Sequence, residues 1–569
     1  MDSCDILYLI YYRYHALRVN EIQQKEVERM KRILAIVLSL CMLALMMVPA
    51  FAAEPDFITY PTIYIKGKVG TLGNNVGTPD QIQIYDGNRV PAPDGYIEEA
   101  VKELVPMFVK SMLTDDYTEW AEKMSGVLEP IYRDFVLDKN GKARPGSGQE
   151  KLAYDINNVH DVIEGGKYAL HGYPFDYDWR LSPIDVAPDL RTYVEKVKEV
   201  TGKPKVNLIA RCEGACVLIA YLAEYGGADI GDAVFLSPSS NGTALISDVF
   251  AGDFHLDGVA VNRYMEDGEY MSELDKIIED ELLRRVILDT LKLMAVTPGV
   301  DLTDAALNGL LEKILPMIMP GLLMTSYGTL PSYWAMVDDA HYEQAKTLAG
   351  ITDDPEYANF VALIDDYHYN IQQKHAEILE SCRSQGMGCM ILVKYGDEML
   401  PFLGDSVYPN DNTTTVPQAS LGATVAEIGD KLDGEGEFIS PDGLIDASTA
   451  GAPDYTWYAK YLDHDEWDKG INDLVKAHYA SGGTMTVNSD PAFPRFLVYR
   501  ELDKDHGVLE PMTEENAFAQ DPTPSEDVAP AVNNFISTMR SVIERIIAFI
   551  KGIIEGIIGH AKGTVPPVE

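Results

Sequence analysis

The sequence predicts an α/β fold, a mostly parallel sheet flanked by helices with an inserted helical cap. Three observations carry this. Short apolar strand-like runs alternate with amphipathic stretches along the 569 residues, the pattern of βαβ units with right-handed crossovers. The run Lys205 to Gly226, KVNLIARCEGACVLIAYLAEYG, joins a buried strand to a buried helix through a tight turn of small residues. Between two of the strands lies a long block, residues 239–365, rich in Leu, Ile and Met and helical in period.

The elements follow in chain order. Lys31-Arg32, the apolar run Ile33 to Val48 and Ala50-Phe51-Ala52 read as a secretory signal over 30–52. The apolar run is short for a membrane span. Lys25-Glu26-Val27 can be encoded as a bacterial ribosome-binding sequence just before Met30, so translation is expected to start there, with 1–29 upstream of the true start. Core strands are expected at Thr62 to Ile65, Gly166 to Leu170, Val206 to Ala210, Asp232 to Leu236, Met390 to Lys394 and Thr456 to Leu462. Helices are expected at Tyr96 to Leu113, Ser182 to Glu199, Cys216 to Glu224 and Ile471 to Tyr479, with Glu273 to Met294 and Leu307 to Leu323 in the cap. Phe496 to Leu502 and Val508-Leu509 read as a hairpin. The core thus divides into 57–238 and 366–518. A linker follows over 519–530, and an amphipathic helix over 531–560 has a wide Ile-rich face. That helix suits a membrane surface, a protein partner or the domain itself.

Composition excludes one partner class. The formal charge is −43, which repels nucleic acid. The chain has six cysteines. Cys382 and Cys389 flank a short turn and could pair, but the low density argues that bridges do not hold the fold. There is no CxxC pair and no HExxH motif, so neither a zinc site nor any cofactor is expected.

The chemistry centres on Ala210-Arg211-Cys212-Glu213-Gly214-Ala215. A sharp strand-to-helix turn of this kind exposes one nucleophile above a parallel sheet, as in α/β hydrolases. Here the nucleophile is Cys212, and Ala210 stands where the first Gly of G-x-S-x-G would be. The following helix N-terminus favours a thiolate, Arg211 adds positive charge if it turns inward, and Glu213 opposes it. A thiol needs less help from a base than a hydroxyl does.

Upstream, Phe175-Asp176-Tyr177-Asp178-Trp179-Arg180-Leu181 precedes the elbow. This run with the elbow resembles the lecithin:cholesterol acyltransferase family, over about 57–240 and 388–480. The resemblance implies an α/β-hydrolase fold and acyl transfer from lipid esters, with Asp178 and Trp179 as candidate substrate contacts. The residues themselves also suit a structural role, with Trp179 under the site floor and Asp178 paired to Arg180.

An oxyanion hole needs two backbone N–H groups. Glu213 N–H is one, and Lys68 N–H in Gly67-Lys68-Val69-Gly70 is the other. Two acids follow a later strand. Asp397 stands in Gly396-Asp397-Glu398-Met399-Leu400-Pro401. Asp411, in Asn410-Asp411-Asn412-Thr413-Thr414-Thr415-Val416-Pro417, is favoured because that segment resembles the family's G-D-G-T-V, the family's Asp aligning with Thr413. Two bases are open. His464 follows a strand and precedes a helix, the topology a triad needs, whereas His506 lies in the hairpin. Either way the order is nucleophile, acid, base.

The expectation is an exported bacterial carboxylic-ester hydrolase or acyltransferase using Cys212, Asp411 and His464 on a lipid or other acyl ester. The alternative is an inactive relative that binds lipid or a cell-envelope partner.

Overall fold

The computed structural model describes residues 60–68, 71–85, 90–149, 172–254, 304–400, 402–503 and 506–518. The expected signal, the strand at Gly166 to Leu170, the helix at Glu273 to Met294, the linker and the tail helix lie outside the described residues.

Eight strands form the main sheet: β1 (Thr62–Ile65), β2 (Tyr173–Phe175), β3 (Val206–Cys212), β4 (Ile230–Pro238), β5 (Gly388–Tyr395), β6 (Thr456–Lys460), β7 (Phe496–Asp503) and β8 (His506–Pro511). Their spatial order is β8-β7-β6-β5-β4-β3-β1-β2. Every neighbouring pair is parallel except β7 and β8, which form the expected hairpin. A mostly parallel eight-stranded sheet with a sharp strand-to-helix turn after β3 is the α/β-hydrolase fold.

Both faces of the sheet are covered, which is why its central strands are almost continuously apolar. Side chains alternate between the faces. Leu208, Ala210, Phe235, Ile391 and Val393 join the larger core. Helices α3 (Pro183–Thr201), α4 (Gly214–Tyr225) and α9 (His375–Ser384) cover that side. Ile209, Val234, Met390, Leu392 and Trp457 face the other way and meet Ile471, Leu474 and Val475 of α10 (Lys469–Ala480). Ser182 caps α3 by accepting from Ile184 N–H, and Asp468 caps α10 by accepting from Gly470 N–H.

The described residues between β4 and β5 are largely helical, in keeping with the expected cap. Its described helices include α5 (Ala244–Ala251), α6 (Asp304–Met324), α7 (Tyr342–Ala349) and α8 (Ala358–Tyr367). Its seat on the core is Leu330 to Val337, where Trp334 is 1% exposed and Met336 O accepts from Thr243 N–H at 2.9 Å. The cap also draws on chain from before β2, which the sequence reading did not foresee. α1 (Tyr96–Thr114) and α2 (Thr118–Ser125) lie between β1 and β2, and α6 packs against α2. An amphipathic period shows that a helix has a buried face but not which helix covers it. Among the described residues no helix is long and apolar enough to cross a membrane.

Candidate active site

β3 runs straight into the turn and ends at Cys212, which has φ 52°. A positive φ on a non-glycine residue is strained, and such strain gathers at functional turns. What fixes the turn is the close approach of β1. A Cβ at Gly214 would lie 2.5 Å from Ile65 O and 2.9 Å from Lys66 O, so only glycine fits there. Ala210, where a glycine would be usual, is fully buried in the core and is accommodated.

Cys212 is partly exposed at the top of the sheet. Ser239, just past β4, donates from its backbone N–H to Cys212 O at 3.3 Å and from its hydroxyl to Cys212 Sγ at 3.7 Å. Ser239 was not singled out from sequence, because a serine after a strand carries no distinctive signal.

His464 lies four residues beyond β6 and is 5% exposed. Its Nδ1 is 2.9 Å from Asp411 Oδ2, and its backbone N–H donates to Asp411 O at 3.0 Å. Asp411 is fully buried, and its Oδ1 accepts from Thr413 N–H and Thr414 N–H at 3.3 and 2.8 Å. One carboxylate oxygen is therefore held by the loop, leaving the other to orient the imidazole. His464 Nε2 is buried without a hydrogen-bond partner.

The electrostatics tie His464 to Cys212. Burial on its own would raise the Cys212 thiol, but the adjacent His464, then Arg211 and the Ser239 hydroxyl, hold it below the ordinary thiol range. Burial would likewise lower His464, but Asp411 and the Cys212 thiolate push it well above the ordinary imidazole range. The two groups favour a thiolate–imidazolium pair. Glu213 does not oppose it. Burial, then the nearby Cys212 and Asp178, push its carboxyl well above the usual range, which favours the neutral acid over a competing negative charge.

Two cations lie behind His464: Lys394, which the sequence reading did not single out, and Arg211, weighed from sequence only as a charge beside the thiol. Lys394 ends the apolar run of β5 and is 1% exposed. Its ammonium donates to the carbonyls of Asp463 at 3.1 Å, His464 at 3.0 Å and Glu466. Burial brings its pKa down to about 8. Arg211 turns toward the same loop, donating to Asp465 O at 2.8 Å and pairing with the Asp465 carboxylate at 3.2 Å. A lysine at the end of an otherwise apolar strand was the available signal for the first.

The alternative acid and base fall elsewhere. Asp397 accepts from Asn412 Nδ2 at 3.1 Å and from Glu398 N–H at 2.9 Å, so it braces the Asp411 loop rather than meeting His464. His506 opens β8 at the sheet edge, five strands from β3.

The expected oxyanion loop packs against the elbow. A Cβ at Gly67 would lie 3.2 Å from Cys212 Cβ and 3.6 Å from Glu213 N. Lys68 follows, its ammonium 5.6–5.9 Å from the ring centres of Tyr85, Trp179 and Tyr327; Val69 and Gly70 lie outside the described residues. Asp178 and Arg180 form a two-pronged pair at 2.9 and 2.7 Å. Trp179 is 1% exposed among Tyr85, Phe135 and Tyr333. Cys382 and Cys389, which the sequence allowed to pair, are both free and buried. Cys382 Sγ instead contacts Leu222 O at 3.6 Å. Position across a turn does not by itself bring two thiols into bonding geometry.

No family profile and no curated protein matches the chain. Among solved structures it is similar to a chain of "The crystal structure of Tle4-Tli4 complex", with a TM-score of 0.23 and 12% identity, over 74% of this chain and 97% of that one.

Proposed function

We propose that the protein is an exported carboxylic-ester hydrolase or acyltransferase, acting on lipid-type esters through an acyl-cysteine intermediate. The observation that carries this reading is the hydrogen bond from His464 Nδ1 to Asp411 Oδ2, with the same imidazole electrostatically coupled to Cys212 at the elbow. The resemblance of the Tyr177-to-Leu181 run and elbow to the lecithin:cholesterol acyltransferase family supports the lipid class, and the signal-like segment 30–52 supports export.

In this reading the Cys212 thiolate attacks the ester carbonyl. An S–C bond forms and the carbonyl oxygen takes the negative charge, stabilised by the Glu213 and Lys68 N–H groups. The adduct collapses, the C–O bond breaks, and the His464 imidazolium gives its proton to the departing alcohol. Water or another acceptor, its proton taken by His464, then attacks the thioester and releases the thiolate. Asp411 keeps Nδ1 protonated and the ring oriented. The cap with the aromatic wall of Tyr85, Trp179, Tyr327 and Tyr333 would shelter the acyl group.

The test is intact-mass analysis after p-nitrophenyl esters of graded chain length. An acyl adduct that is lost in Cys212→Ala, with turnover lost in the same variant, supports the reading. An unmodified protein with an inert thiol would instead favour an inactive relative that binds lipid or a cell-envelope partner. The segment 531–560 would then be the first candidate for that contact.

A further inference from the structure

Away from Cys212, three side chains from three separate segments converge. Asp248 lies on α5, His341 immediately precedes α7 in the cap, and Asp405 lies in the loop between β5 and Asp411. One potential ligand atom from each lies within 4.8 Å of the others. Asp253 and Asp338 border the same place, at 3.4 Å from His341 Nε2 and 2.7 Å from His341 Nδ1 respectively. Four carboxylates thus surround one imidazole.

We propose that Asp248, His341 and Asp405 bind a zinc-class divalent cation that pins the cap to the loop carrying Asp411.

The independent observation is Asp248. It is fully buried, yet its Oδ1 has no hydrogen-bond partner and lies 3.9 Å from His341 Nε2. Its other oxygen is used, accepting from Asp405 N–H at 3.0 Å. Leaving a buried carboxylate oxygen unpaired is costly, so such an atom calls for a partner. The imidazole is oriented as a metal ligand would be. Nδ1 is engaged by the Asp338 carboxylate, whose other oxygen accepts from Gln418 Nε2 at 2.6 Å. A carboxylate behind the ring fixes its orientation, and Nε2, here hydrogen-bonded to Asp253 Oδ2 at 3.4 Å, would exchange its proton for the metal ion. Ligands about 2.0–2.2 Å from a tetrahedral ion stand roughly 3.3–3.6 Å apart. The three proposed donor atoms lie within 4.8 Å of one another, His341 Nε2 and Asp248 Oδ1 being 3.9 Å apart, so they would close slightly around such an ion.

A nitrogen donor among carboxylates suits zinc or a neighbouring transition ion better than calcium or magnesium, which take oxygen ligands. No metal motif announced the site, because its residues are separated by long stretches of chain.

The test uses the mature full-length chain carrying Cys212→Ser, so that the active-site thiol does not compete for metal. Protein dialysed against EDTA is titrated with Zn2+ by calorimetry, and its melting temperature is measured with and without Zn2+. One Zn2+ per chain, a raised melting temperature, and affinity at least tenfold weaker in Asp248→Asn and in His341→Gln would support the site. Asp405→Asn provides a third test should either variant fold poorly. Absence of stoichiometric binding, unchanged affinity in these variants, or tighter binding of Ca2+ than of Zn2+ would overturn it.

Discussion

Lys394 Nζ lies 3.0 Å from the backbone carbonyl of His464 and also reaches the carbonyls of Asp463 and Glu466. A buried ammonium thus holds the backbone on both sides of the proposed base. Lys394→Met is expected to lower kcat about tenfold or more, since misplacing a reacting group by about 1 Å costs on the order of a hundredfold. Far-UV circular dichroism should be unchanged while p-nitrophenyl ester turnover falls. Full activity in Lys394→Met would show that the loop is held by other contacts.

The same lysine gives stability a pH dependence of known sign. Its pKa is about 8 in the folded protein and near 10.5 when unfolded. Between those values the unfolded chain binds a proton that the native state lacks, so this group makes stability rise with pH. The full cost of burying the charge is present below about pH 8. Comparing wild type with Lys394→Met by denaturant melts at pH 7.5 and 10 should therefore show wild type gaining up to about 3 kcal/mol relative to the variant. A flat difference would contradict it.

Cys212 should behave as a thiolate below the ordinary thiol range. Its pKa is lowered because His464, Arg211 and Ser239 together outweigh the effect of burial. Alkylation by iodoacetamide is expected to stay fast at pH values below the ordinary thiol range and to slow only as the thiolate is protonated on further acidification. In His464→Ala, burial goes unopposed by an imidazolium, and the alkylation midpoint should rise toward or above the ordinary thiol range. The pair titrates as a unit, so the wild-type profile belongs to both groups. An identical profile in the variant would separate His464 from the thiol.

The remaining described cysteines should be unreactive in the folded state. Cys216, Cys382 and Cys389 are buried free thiols, and burial pushes the last two up to about 11 and 12. A reducing agent should leave the melting temperature unchanged. A drop of several degrees on reduction would point to a bridge.

How much of this was legible depended on how local the signal was. The elbow is local: an apolar strand, small residues and an apolar helix announce it within Lys205 to Gly226. His464 could be favoured over His506 because a strand before and a helix after it are also read locally. Asp411 needed a family pattern, and it lies two residues from where that pattern put it. The loop supplies Thr413 and Thr414 N–H groups to the carboxylate, a geometry that sequence spacing alone does not reveal. Lys394 and Ser239 were missed, and Arg211 was read only as a charge beside the thiol rather than as a brace on Asp465, because their partners are backbone atoms or distant residues. The pairing of α6 with α2 was missed for the same reason, since a helix period does not name its partner.

The elbow's strain predicts a trade between stability and chemistry. Cys212 adopts φ 52°, a region that glycine enters without penalty and other residues enter at a cost. Cys212→Gly should therefore be stabilised by about 1 kcal/mol while losing all acyl transfer. Gly214 has the opposite constraint, because a Cβ there would strike the backbone oxygens of Ile65 and Lys66. Those atoms belong to the end of β1 and the start of the oxyanion loop and cannot swing aside as a side-chain tip would. Gly214→Ala should lower stability by about 2 kcal/mol or more and displace Cys212 from His464. Denaturant melts of both variants beside wild type decide the point: a stabilised Cys212→Gly with a destabilised Gly214→Ala places the strain at the proposed nucleophile, and the reverse order would place it elsewhere.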